Sequence, residues 1–127
     1  MATVGGVTIR EGLRAELKVA MRARDTSSTA AIRSALGAID NAEAVDTTVA
    51  TDRIDGDSRI AGAVAGAGST EVRRRTLTDH EVADVVRAEI ADRLDAAVEY
   101  DAAGPAGTER AARLRAEAAT LERFVGD

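Results

Sequence analysis

Residues 78–103 read TDHEVADVVRAEIADRLDAAVEYDAA and carry the strongest helix signal in the chain. Thr78 followed three residues later by Glu81 is a capping box, in which each side chain satisfies the other residue's backbone N–H at a helix start. Leu77 and Val82 occupy the two positions of a hydrophobic staple around it. Val82, Val86, Ile90, Leu94 and Val98 then recur at every fourth residue, with Val85 and Ala97 widening the apolar stripe. A helix of this length spans about 37 Å.

Toward the N-terminus, Thr8 and Glu11 repeat the capping box. The spacing predicts a first helix with Ile9, Leu13, Leu17, Ala20 and Met21 on its apolar face, fraying near Arg24. Asp25-Thr26-Ser27-Ser28 is turn and cap material, and Ile32, Leu36 and Ile39 predict a second helix over about Thr29 to Glu43. Gly37 within it either costs roughly 1 kcal/mol relative to alanine or permits close helix contact. Toward the C-terminus, Gly104-Pro105-Ala106-Gly107 breaks the chain. Thr108 is the expected N-cap of a fourth helix from Glu109 to about Val125, with Ala111, Leu114, Ala118, Leu121 and Val125 as its stripe.

Residues 45–75 are rich in Thr, Asp and Gly and have no sustained period, so they read as a long flexible loop; Ile60 and Val64 fit one helical turn. The expectation is one all-α domain over residues 1–127. A helical hairpin (about 8–44) and a second hairpin (76–125) pack as a four-helix arrangement joined by the loop 45–75.

Composition narrows the function. Tyr100 and Phe124 are the only aromatics, so Ala, Val, Leu and Ile have to fill the core. Cysteine is absent, which excludes disulfides, thiolate metal sites and cysteine nucleophiles. No run reaches signal-peptide or transmembrane length, so a cytoplasmic protein without membrane contact is expected. His80 is the single histidine. The Glu-x-x-His pair of a di-metal bundle is therefore missing, and no Ser-His-Asp arrangement suggests itself. The segment 62–70, GAVAGAGST, lacks the lysine of a phosphate-binding loop. No catalytic residue, metal or cofactor is predicted, and independent enzymatic activity is not expected.

The net charge of −5 does not favour nucleic acid, yet it is unevenly spread. Arg10, Arg14, Lys18, Arg22 and Arg24 outweigh Glu11 and Glu16, a local +3 within residues 1–24. Arg10, Arg14, Lys18 and Arg22 recur every four residues as a basic row that could meet the phosphates of an RNA. Alternatively the row is a solvated face, or pairs with Glu81, Asp84, Asp92, Asp95 and Glu99 of the long helix; the acidic balance of the chain favours this second reading. Arg73-Arg74-Arg75, just before the long helix, is a further candidate for a phosphate or an acidic partner. No aromatics are interleaved with these cations to stack on bases.

Several short motifs occur in a fixed order. Ile32-Arg33, Ala38 and Asn41-Ala42-Glu43 close the second helix. Leu77-Thr78-Asp79-His80-Glu81-Val82, Glu89-Ile90, Arg93, Tyr100 and Ala103-Gly104 follow along the third, and Glu117 with Leu121-Glu122-Arg123-Phe124-Val125 along the fourth. In this order and spacing, over about residues 9–44 and 76–125, the chain resembles the GatB/YqeY family. The resemblance implies a relative of the helical region of GatB, a subunit of the glutamine-dependent amidotransferase that acts on mischarged tRNA. The catalytic centres of that complex lie elsewhere, so what it implies here is a non-catalytic, YqeY-like accessory protein associated with tRNA. It also implies hydrogen bonding across the hairpins by Arg33, Asn41, Glu43, Glu89 and Arg93. Family members continue through a Leu-Pro segment into a small helical tail, the part most associated with tRNA contact, where this sequence has Phe124-Val125-Gly126-Asp127. That departure predicts weaker RNA contact and keeps open an alternative. In it the chain is a protein-interaction or self-associating scaffold that uses its Ala-rich faces and the last turn with Leu121, Phe124 and Val125.

Overall fold

The computed structural model describes residues 8–55 and 76–126, with side chains for 8–44 and 76–126. The described residues form four α-helices and a 3-10 turn, with no strand among them. Helix α1 (Ile9–Ala23) begins at the predicted capping box: Glu11 N–H donates to Thr8 Oγ1 and Thr8 N–H to Glu11 Oε1, both at 3.1 Å. It closes on Arg24 in the left-handed region, φ +59°, whose N–H reaches the Ala20 and Met21 carbonyls.

Helix α2 (Thr26–Asp55) is longer at both ends than its apolar spacing predicts. Its start moves forward to Thr26 because Asp25 is the capping residue. The Asp25 carboxylate accepts from Ser28 N–H at 3.1 Å and from Ser28 Oγ at 2.8 Å. The Ser28 backbone N–H first, and its hydroxyl second, hold the Asp25 carboxyl below its ordinary value of 3.8. The other end is a correction to the flexible loop expected from residue 45. The backbone of 45–55 is helical, and residues 44–55 (AVDTTVATDRID) contain neither glycine nor proline. Thr and Val weaken a helix by only a few tenths of a kcal/mol each; the first strong breaker is Gly56. The rest of the expected loop, including Ile60, Val64, the glycine-rich 62–70 and Arg73–Arg75, lies outside the described residues.

Helix α3 (Asp79–Ala102) has the Thr78–Glu81 capping box at 2.9 and 3.1 Å, and the flanking Leu77 and Val82 both join the core. Its apolar stripe is not the predicted one throughout. A four-residue step overshoots a full turn, so the row from Val82 has rotated by about 120° at Leu94 and about 160° at Val98. Leu94 and Val98 therefore stand out in solvent, 39% and 63% exposed. Ala97, only about 60° round from Val82, is buried instead. Gly104 (φ +95°) and the 3-10 turn Pro105–Gly107 reverse the chain into α4 (Thr108–Val125). Thr108 is already helical and makes no side-chain cap, another departure from expectation.

α2 packs against α1, α3 and α4, and α3 and α4 lie along each other, giving a four-helix arrangement. Leu13, Ile32, Ile39, Val86 and Leu121 are the largest fully buried side chains. Ala31, Ala35, Ala83 and Ala118 between them allow close helix approach, which replaces aromatic bulk. No polar side chain among the described residues is fully buried.

Candidate nucleic-acid interface on helix α1

The buried side of α1 is Ile9, Leu13 and Ala20, with Leu17 partly covered. The basic row starts at the edge of that side and turns away from it, because each four-residue step adds about 40°. Arg10 is the member closest to the core. Its Nη2 donates to Glu43 Oε2 of α2 at 2.7 Å, in a pair that is partly buried. Arg14, Lys18 and Arg22 are exposed, and none makes an ion pair among the described residues. They follow one another at about 6 Å along the axis.

The acidic face of α3 does not neutralise them. Glu81 is engaged in its capping box, and Asp84 pairs with Arg87 at 3.2 Å and with His80 at 3.5 Å. Asp92, Asp95 and Glu99 are exposed and unpaired among the described residues. Among the described residues the ion pairs that α1 makes run from Arg10 to α2 and from Glu16 to Arg123 of α4, the latter at 3.4 Å.

Of the five residues expected to bond across the hairpins, Glu43, Glu89 and Arg93 sit at helix contacts. Glu43 is the partner of Arg10. Arg93 of α3 donates through Nε to Glu117 Oε1 of α4 and through Nη1 to Glu89 Oε1, both at 2.9 Å. Ser34 of α2 donates its hydroxyl to the same Glu89 oxygen at 2.7 Å. One arginine, two glutamates and a serine thus tie three helices together. Ser34 had no signal in the sequence, since a serine on a helix surface reads as neutral filler. Arg33 reaches only the Met21 sulfur, at 3.7 Å, and Asn41 is exposed with no hydrogen bond across the hairpins among the described residues.

The last turn of α4 is not a free docking face. Leu121 and Val125 are buried, and the Phe124 ring packs over Gly12 of α1. His80 is exposed in the first turn of α3. Among the described residues no cluster of His, Cys, Asp or Glu is placed to hold a metal, and no helix is long and apolar enough to cross a membrane. A cavity of about 180 Å³ lies between the N-terminal ends of α1 and α3, with Ile9, Arg10, Glu43 and Leu77 in its lining. It is below the several hundred Å³ of a typical small-molecule pocket. Comparison with protein-family models, with curated proteins and with solved structures finds no match.

Proposed function

We propose that this chain is a non-catalytic helical accessory module of the GatB/YqeY type that contacts tRNA phosphates through Arg14, Lys18 and Arg22. One observation carries the reading. These three cations stand in solvent on one helix, in sequence register, with no carboxylate of the described residues paired to them. Arg10, held by Glu43, acts as a helix clamp instead. Arg73–Arg75 extend the same reading as a second basic contact.

The negative net charge does not forbid the contact. At physiological salt a charge is felt over about 8 Å, so the local cations dominate where they touch the polyanion. The ring of Tyr100 lies under Arg110 at 5.5 Å, and that of Phe124 is packed on α1, so neither offers a free stacking face beside the row. The recognition is of backbone phosphate rather than of base sequence.

Binding of bulk tRNA to the wild type and to Arg14→Glu/Lys18→Glu tests this. The wild type is expected to bind at low salt, and the double variant to lose at least about tenfold in affinity. Equal binding by both, with the variant folded, would remove α1 from the interface.

A further inference from the structure

We infer that this chain self-associates, with the outer face of α1 in one copy lying on the outer face of α3 in a second copy. The two faces complement each other in charge. α1 presents Arg14, Lys18 and Arg22, and α3 presents Asp92, Asp95 and Glu99; all six are exposed and unpaired among the described residues. The cationic row spans about 12 Å of helix and the anionic row about 10 Å, so they match in length.

Their apolar content matches as well. Among the described residues the exposed large hydrophobic side chains are Val19, Met21, Leu94, Val98 and Tyr100. Val19 and Met21 flank the basic row of α1, and Val98 lies about 60° round α3 from Asp95, whereas Leu94 stands at the edge of the buried face. Tyr100 lies beneath Arg110, and the Met21 sulfur is approached by Arg33 at 3.7 Å, which leaves Val19, Leu94 and Val98 without such a partner. Complementary charge on two faces steers their encounter and fixes their register. Within one chain α1 packs mainly on α2 and more lightly on α3 and α4, and among the described residues its ion pairs run to α2 and α4, none to α3.

A twofold arrangement uses both contacts at once, α1 of each copy meeting α3 of the other, which closes the assembly as a dimer. The inference does not depend on the tRNA reading. A dimer covers the cations that tRNA would contact, so the two compete for the same row.

Sedimentation equilibrium of the full chain tests it. At low ionic strength the wild type is expected to behave as a dimer that dissociates as salt is raised. Lys18→Glu/Arg22→Glu gives two acidic faces and Asp95→Lys/Glu99→Lys two basic ones, so each variant alone is expected to be a monomer. An equimolar mixture of the two associates again, because every contact in the mixed pair joins opposite charges. Circular dichroism verifies that both variants are folded. A monomeric wild type at low salt, a variant that still dimerises alone, or a mixture that stays monomeric overturns the inference. Binding of tRNA is measured on the same four samples; its loss or retention reports on α1 and tRNA separately from the sedimentation result.

Discussion

Gly107→Ala is expected to destabilise the fold by about 3 kcal/mol, at the upper end of what overpacking costs. Gly107 is buried where the chain turns from α3 into α4. A Cβ there would run into the Tyr100 carbonyl oxygen, with its carbonyl carbon at 2.8 Å and its Cα at 3.1 Å. All three atoms are backbone of the last turns of α3, so relief means moving one helix off the other rather than rotating a side chain. Two other glycines calibrate the effect. Gly104 has free space around it but a φ of +95°, so alanine there costs only backbone strain, about 1–2 kcal/mol. Gly37 has nothing within 4 Å of its Cβ direction and lies inside α2. Close helix contact is therefore not its role, and Gly37→Ala should stabilise by about 0.5–1 kcal/mol. Urea denaturation of the three variants checks the order. Gly107→Ala at or above wild-type stability would show that the α3–α4 turn is not packed as described.

Removing the Arg93 side chain is the second large perturbation. Its side chain is 13% exposed, and its partners Glu89 and Glu117 are 20% and 12% exposed. Arg93→Met leaves two partly buried carboxylates facing each other across α3 and α4 without their cation. A fully buried pair broken in this way costs about 3–5 kcal/mol; the residual exposure lowers the expectation to about 2 kcal/mol. Glu89→Gln/Glu117→Gln in the Arg93→Met background should restore part of the loss, because neutral amides tolerate burial without the guanidinium. That recovery separates loss of charge pairing from loss of arginine packing, which the amides would not repair. An Arg93→Met variant within about 0.5 kcal/mol of the wild type would mean that the network follows the helix packing and does not hold it.

Local signals were the legible part of this fold. Both capping boxes, at Thr8 and Thr78, depend on two residues three apart, and both form. The end of α2 is obscured in the sequence because Thr and Asp between residues 45 and 55 resemble loop composition, although neither glycine nor proline occurs there before Gly56. The start of α2 was misplaced because Asp25 and Ser28 are both good caps, and only the geometry shows which one accepts. An every-fourth-residue rule places Leu94 and Val98 in the core, but a 3.6-residue helix does not sustain that row over four steps. The partners within the long-range ion pairs are not legible from spacing, even where the family resemblance points to Glu43, Glu89 and Arg93 as hydrogen-bonding residues. Arg10 and Glu43 lie 33 residues apart, and Arg93 and Glu117 lie 24 apart. Such partners are chosen by how the hairpins dock, a long-range outcome of core packing. For the same reason the row on α1 divides into a clamped Arg10 and three free cations only once α2 is in place.

The account of α1 as a phosphate-contacting helix is tested most sharply by the salt dependence of tRNA binding to the wild-type chain. The three contacts of α1 alone predict that log affinity falls against log salt with a slope of about −2 to −3, and any contact by Arg73–Arg75 steepens it further. Absence of binding at low salt, or an affinity indifferent to salt, would contradict it.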